Sequence, residues 1–177
     1  MSSLYYDFAT PSDKHNHILY ELSLAFGQHR KEYLIFRENM GLVYKGERNS
    51  LDEHCLAAHN EYAIAELDTL SSVIPDFMVF AKNSYIYNKS RTKIAGQPLL
   101  IVEVWSKGNK KAERLHKQYL YSTSPNTEHW YLTQNSNKIE CWLGENKIKS
   151  QSLAKPFTTT FGFQIDLSQI SLAKRWF

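Results

Sequence analysis

Two acidic residues lie inside apolar segments of the sequence, where a carboxylate is costly to bury. Asp76 lies within Val73–Phe80 and Glu103 lies within Pro98–Trp105. Continuous apolar runs of this length are typical of central strands that are covered on both faces. An ionised carboxylate there needs a partner, or its pKa shifts until the group is neutral.

Two such acids on adjacent strands can meet this requirement together by holding one divalent cation. Mg²⁺ prefers one or two carboxylates, waters and the phosphate oxygens of a substrate as ligands. For each acid alone, a strand end that meets solvent is an equally good interpretation. The coincidence of Asp76 and Glu103 favours the metal site.

A lysine after the second acid is the third candidate. Residues 110–121 predict a helix, which the turn Ser106–Asn109 joins to the strand of Glu103. A return of this length can place the ammonium of Lys117 over the end of that strand, beside a water or a phosphate. Spacing alone favours a simpler surface ion pair from Glu113 to Lys117, which contributes roughly 0.2–0.5 kcal/mol.

The elements around these residues predict one α/β or α+β domain over residues 1–177, with a mixed sheet at its centre. No repeat, low-complexity tract or linker divides the chain. The first helix has the apolar stripe Ile18, Leu22, Ala25 and Phe26, and the third has Ala112, Leu115 and Tyr119. Predicted helices cover 14–28, 51–68 and 110–121, predicted strands cover 33–36, 42–44, 73–80, 98–105, 130–132 and 139–143, and residues 82–97 predict a polar loop.

Composition and charge are ordinary for a globular protein. Apolar residues make up 42% and charged residues 22%, and the net charge of +3 permits a polyanionic partner without requiring one. The densest basic run follows Glu103, and its simplest interpretation is the solvated start of a helix. This run consists of Lys107, Lys110, Lys111, Arg114 and Lys117, interrupted by Glu113.

The chain shows neither an apolar leader at its start nor an apolar run of about 18 residues that would span a membrane. Its two cysteines are Cys55 and Cys141. We therefore predict a cytoplasmic protein with reduced cysteines and no membrane partner. The nearby His54, Cys55 and His59 fit no standard zinc module.

The segment from Pro75 to Trp130 resembles the Uma family of restriction-like endonucleases, a branch of the PD-(D/E)XK nuclease superfamily. Pro75-Asp76 matches the PD motif, and Glu103-Val104-Trp105-Ser106 is similar to the family pattern E-V-x-S. Trp105 occupies the position of the superfamily's usual lysine. The Uma family instead carries its lysine on the following helix, where Lys117 lies.

Further matches flank this lysine. Glu113 stands where the family usually has Asp, Tyr121 matches, and Glu128-His129-Trp130 is similar to the family's E-Y-W. The sequence departs from the family in Ser124-Pro125-Asn126, which replaces a segment that usually contains Gly-Val, and in Thr133, where Asp is common. These departures affect a turn more than the candidate site.

The resemblance implies a restriction-endonuclease-like α/β core, a central mixed β-sheet flanked by helices. It also implies a metal-dependent endonuclease that hydrolyses nucleic-acid phosphodiester bonds, with DNA as the expected substrate. Asp76, Glu103 and the backbone carbonyl of Val104 would hold Mg²⁺ or Mn²⁺. Lys117 would position the attacking water or stabilise charge on the phosphate.

Additional site residues follow by analogy. Some superfamily members supply an acid from the first helix, and Glu21 is the candidate here, although a solvated helix edge is the simpler interpretation. His15 and His17 are expected to be capping or surface residues. The nucleic-acid backbone would contact Lys107, Lys110, Lys111 and Arg114.

Two other classes of function compete with the nuclease. One is a catalytically silent nucleic-acid-binding or interaction domain on the same fold, and the other is an oligomeric structural partner of a neighbouring system. The three candidate catalytic residues argue against both. A homodimer is compatible with the resemblance, since many nucleases that cut double strands are dimers.

Overall fold

The computed structural model describes residues 13–43, 67–82, 84–134 and 136–172. The helix predicted over 51–68 lies outside these residues, except for Leu67 and Asp68, which belong to a turn. The helices are α1 (Asp13–Gly27), α2 (Lys111–Ser122) and α3 (Ser168–Leu172). The strands are β1 (Tyr33–Arg37), β2 (Gly41–Val43), β3 (Ser72–Val73), β4 (Phe77–Ala81), β5 (Tyr85–Tyr87), β6 (Lys93–Gly96), β7 (Leu100–Trp105), β8 (Glu128–Thr133), β9 (Lys138–Leu143), β10 (Asn146–Ser152), β11 (Phe157–Thr158) and β12 (Gln164–Ile165).

Six strands form the central sheet in the order β1-β4-β7-β8-β9-β10. β7 and β8 run parallel, and the other neighbouring pairs run antiparallel. Parallel neighbours need a long crossover, and α2 provides it between β7 and β8. The predicted central mixed β-sheet flanked by helices is therefore confirmed, as a mixed α/β fold.

The side chains of β7 alternate between two hydrophobic cores, one on each face of the sheet. Leu100, Val102 and Val104 join the core that the predicted stripe of α1 covers. Ile101 lies in the other core, which includes Tyr121 of α2. All six residues of β7 except Trp105 are buried, as the continuous apolar run predicts for a central strand.

The segment 82–97 contains two strands, so the predicted polar loop is wrong. β5 and β6 pair antiparallel and belong to a second sheet, in the order β3-β2-β6-β5, that packs on the second core. Asn88 fixes the turn between them. The oxygen of its buried side-chain amide accepts hydrogen bonds from the backbone N–H groups of Thr92 and Lys93 at 2.8 Å each. Asn88 also donates to Asp68 at 2.6 Å, which ties the turn to the neighbouring segment.

The apolar stripe predicted on α2 exists, but it faces outward. Leu115 is 55% exposed and Tyr119 is 68% exposed, whereas Tyr121 on the opposite side is buried. The helix thus turns its polar residues toward the sheet, and apolar spacing was the wrong guide to its orientation. Among the described residues, no helix is long and apolar enough to span a membrane.

We expect Leu22→Ala to lower the free energy of unfolding by roughly 2–5 kcal/mol, because it leaves a cavity in the core under α1. The matched variant Leu115→Ala removes the same atoms from an exposed position and should change the free energy by no more than about 0.5 kcal/mol. Urea denaturation measures both. Equal losses from the two variants would contradict the orientation of α2.

Candidate active site

Three carboxylates form a row at one end of three neighbouring strands of the central sheet. Arg37 pairs with Phe77, and Phe77 pairs with Val102. Continuing both registers by one residue places Glu38 opposite Asp76 and Asp76 opposite Glu103. Side chains opposite each other in an antiparallel pair point to the same face, with Cβ atoms about 4.5–5.5 Å apart. The structure therefore brings both predicted acids together and adds Glu38.

Asp76 is held in place by the strand that carries Glu103. The backbone N–H of Val104 donates to Oδ2 of Asp76 at 2.6 Å, so a side chain takes the place of a ladder partner here. Pro75 precedes Asp76 and has no N–H with which to continue the ladder. Burial raises the pKa of Asp76 to about 6, although the ammonium of Lys117 and the Val104 N–H oppose the rise.

Glu103 is 2% exposed and accepts three hydrogen bonds. The ammonium of Lys117 donates to its two oxygens at 3.0 and 2.8 Å, and the hydroxyl of Tyr121 donates to Oε1 at 2.5 Å. Burial nevertheless raises the pKa of Glu103 to about 7, and the charge of Asp76 adds to the rise. Lys117 and Tyr121 are one turn apart on α2, so this one carboxylate anchors that helix.

Lys117 therefore pairs with Glu103, and no ion pair between described residues joins it to Glu113, the alternative partner. Its ammonium also donates to the carbonyl of Ile74 at 3.0 Å. Burial alone would lower the pKa of Lys117, but the carboxylates of Glu103 and Asp76 reverse the shift and raise it. The lysine thus holds a proton and balances the charge of the two acids.

His15 reaches the same row from α1, which corrects its expected capping or surface role. His15 is 8% exposed, and its Nε2 lies 2.9 Å from Oε1 of Glu38 and 3.7 Å from Oδ1 of Asp76. One ligand atom from each of the three residues lies within 4.8 Å of the others. A divalent cation can be held by such a set of one imidazole and two carboxylates.

A signal for His15 was present in the sequence. His15, Leu19, Leu22 and Phe26 have the spacing i, i+4, i+7 and i+11, which places the histidine on the buried stripe of α1. Glu38 carries no comparable signal, because its place beside Asp76 depends on strand pairing.

Glu21, the predicted acid of α1, is half-buried and lies away from that stripe. No hydrogen bond or ion pair between described residues joins Glu21 to Asp76 or Glu103, so its catalytic role stays a prediction.

The predicted nucleic-acid contacts divide into two groups. Lys107, Lys110 and Lys111 are exposed around the start of α2. Arg114 instead lies over the ring of Trp105, 5.1 Å from its centroid, and donates to the carbonyl of Ser106. Arg114 thereby braces the turn between β7 and α2, while the three lysines face solvent.

Trp105, the last residue of β7, lies in an aromatic environment. Its ring stacks on Tyr131 with centroids 4.7 Å apart and the planes 21° from parallel. The same ring contacts the second core and receives the guanidinium of Arg114 on one face. An ammonium at this position would lose these aromatic contacts, and Lys117 on α2 reaches Glu103 instead.

Comparison with known proteins identifies the fold and not the family. No protein-family model matches the sequence, and no curated protein matches it either. A solved structure from Anabaena variabilis, described as "a putative nuclease belonging to DUF820", has a similar fold with a TM-score of 0.56. The match covers 92% of this chain and 82% of that chain at 12% sequence identity.

We expect Lys117→Met to destabilise the protein by roughly 3–5 kcal/mol at high pH, because it leaves a buried carboxylate without its partner. Burial raises the pKa of Glu103 from 4.5 to about 7, so the folded protein binds this proton more tightly than the unfolded chain does. The destabilisation should therefore be small near pH 5, where Glu103 takes up a proton, and grow as the pH rises through about 7.

Urea denaturation of both proteins from about pH 5 to 10 measures this dependence, because one proton changes the free energy by at most about 1.4 kcal/mol per pH unit. The control is Lys147→Met, which breaks the exposed pair of Lys147 and Glu140. This control should lower the free energy of unfolding by less than about 1 kcal/mol at every pH. A cost for Lys117→Met that does not change with pH would show that Glu103 stays ionised without the lysine.

Proposed function

We propose that this protein is a metal-dependent endonuclease of the PD-(D/E)XK type, related to the Uma family, that hydrolyses phosphodiester bonds of nucleic acid, with DNA as the expected substrate. The observation that supports this most is the convergence of Asp76, Glu103 and Lys117 at the end of the central sheet. The neighbour of similar fold, itself described as a putative nuclease, agrees with the proposal. The cytoplasmic location and the homodimer stay predictions.

The donors around Asp76 fit a divalent cation. A carboxylate offers about four lone pairs, and the three hydrogen bonds to Glu103 leave one of them, on Oε2, for a further partner. Oδ2 of Asp76 accepts a hydrogen bond from the N–H of Val104, and Oδ1 of Asp76 lies 3.7 Å from Nε2 of His15. Together with the predicted carbonyl of Val104, these oxygens are ligands that Mg²⁺ or Mn²⁺ accepts.

When bound, a divalent cation supplies charge that polarises the phosphate and lowers the pKa of a water. The side chains of this chain perform the remaining tasks. Val104 and Tyr121 fix the orientation of the two carboxylates, so little reorganisation is needed during the reaction. Lys117 keeps its proton, and its ammonium lies where it can orient a water or offset negative charge that develops on phosphorus.

The exposed lysines supply the part of nucleic-acid binding that does not depend on base sequence. Lys107, Lys110 and Lys111 lie on the turn and first residues that connect β7 to α2, next to the proposed catalytic residues along the chain. Ammonium groups in this place attract a phosphate backbone and set its position over the site.

A catalytically silent nucleic-acid-binding domain is the second candidate. It is favoured by the three hydrogen bonds that already occupy Glu103, since the ammonium of Lys117 balances the charge of this carboxylate and Tyr121 donates a further hydrogen bond without a metal ion. In a silent domain, the same contacts would serve only to keep a buried acid satisfied.

A cleavage assay separates the two candidates. Wild-type protein with Mg²⁺ or Mn²⁺ should cut at least one of supercoiled plasmid, single-stranded DNA and RNA, and EDTA should stop the reaction. Asp76→Asn should lower the rate by at least about a hundredfold, because it removes charge needed in the transition state. Lys117→Ala should also lose activity, whereas the exposed control Glu140→Gln should keep it.

Cleavage that survives Asp76→Asn would make the site assignment wrong. A metal-independent mobility shift, with no cleavage of any substrate and no metal-induced rise in melting temperature, would favour the silent domain.

We expect the triple variant of Lys107, Lys110 and Lys111 to alanine to bind nucleic acid more weakly and with a shallower salt dependence. Each lost phosphate contact should reduce the slope of log affinity against log salt by about 0.9 on duplex DNA. Fluorescence anisotropy at several salt concentrations measures this slope. The double variant of Lys147 and Lys149 to alanine, on β10, removes charge from the far edge of the sheet and should leave the slope unchanged.

A further inference from the structure

We propose that His15 and Glu38 join Asp76 as ligands of the proposed divalent cation, and that the imidazole of His15 selects a first-row transition-metal ion, Mn²⁺ above all, over Mg²⁺. The inference deepens the proposed function, on which its biological meaning rests. Its tests measure metal binding without nucleic acid, so the two can fail separately.

The three residues come from three elements and converge on one point. His15 lies in the first turn of α1, Glu38 directly follows β1, and Asp76 directly precedes β4. Ligand atoms about 2.1 Å from one ion lie roughly 3–4 Å apart. The Nε2 of His15 is 2.9 Å from Glu38 and 3.7 Å from Asp76, so small side-chain adjustments would suffice.

A structural ion pair alone explains this arrangement less well. His15 and Glu38 would satisfy each other without a third member, yet the acid row also brings in Asp76, whose burial is costly. The side chain of Glu38 remains 31% exposed, which leaves a route for an ion and its waters to enter from solvent. His15 is on the buried stripe of α1, so the packing of that helix fixes where the imidazole lies.

The choice of ion follows from the donor types. Mg²⁺ takes oxygen ligands and gives up its waters reluctantly. An imidazole nitrogen raises the affinity for first-row transition ions, which rises from Mn²⁺ toward Cu²⁺ at a given site. Among these ions Mn²⁺ best combines with the two carboxylates and with the phosphate oxygens of the proposed substrate. A site of oxygens alone would show a weaker preference for Mn²⁺.

Metal binding to the full chain tests the proposal. Electron paramagnetic resonance of free Mn²⁺ gives its affinity, and competition gives the affinity for Mg²⁺. Wild type should bind Mn²⁺ at least about tenfold more tightly than Mg²⁺. His15→Asn removes the nitrogen ligand, because the Asn side chain is too short to reach the position of Nε2, and a water can take its place. Mn²⁺ binding should therefore weaken by about 10–100-fold, while the Mg²⁺ affinity, which depends on oxygen ligands, changes by less than about threefold.

The control is His116→Asn, which makes the same exchange at an exposed position of α2 and should leave both affinities unchanged. The visible absorption of bound Co²⁺ gives a second readout, because its d–d bands should shift in His15→Asn and not in the control. Melting temperatures without metal establish that each variant is folded. If His15→Asn is unfolded, His15→Gln provides the same test.

Equal weakening of Mn²⁺ and Mg²⁺ binding in His15→Asn, or no change in either, would overturn the proposal. Selective loss of Mn²⁺ binding in a protein that cuts no nucleic acid would support this centre and reject the nuclease. Cleavage by wild type together with an unchanged Mn²⁺ preference in His15→Asn would support the nuclease and reject this metal centre.

Discussion

The burial of one carboxylate, Glu103, in the central strand of the sheet determines much of the surrounding structure. A buried acid without partners would cost several kcal/mol. Lys117 and Tyr121 both satisfy it from α2, and this requirement outweighs the apolar periodicity of the helix. As a result α2 exposes Leu115 and Tyr119, although burying them would have gained hydrophobic free energy.

Strand pairing places two further acids near the buried carboxylate of Glu103. Because β1, β4 and β7 are neighbours in register, Glu38, Asp76 and Glu103 fall in one row at the end of the sheet. Burial of these acids, with a smaller contribution from neighbouring negative charges, raises the pKa of Asp76 to about 6 and that of Glu103 to about 7. Such a row of acids is favourable for a cation and unfavourable for a purely structural cluster, since apolar residues there would be more stable.

The fold and the site carry different parts of the functional argument. The likeness to the solved neighbour, at 12% identity, establishes how the chain is folded. One fold hosts many activities, so the activity has to be argued from the arrangement of specific side chains. Here the ionic contact of Lys117 with Glu103 and the approach of His15 to Asp76 carry that argument. Together they give the site a positive group on one side and a nitrogen donor on the other.

The sequence by itself determined the two acids in apolar segments, the lysine on the helix after the second acid, and the mixed sheet between helices. These features are local, since each depends on residue types within one run or on the length of one connection. Tertiary structure decided the position of Glu38 beside Asp76 and the outward face of α2. It also decided the pairing of β5 with β6, which the polar sequence of 82–97 concealed. These outcomes depend on strand register and helix rotation, and both are set by contacts between residues distant in sequence. His15 stands between the two cases, because its spacing predicts burial, while only the arrival of α1 at the end of the sheet brings it to Asp76.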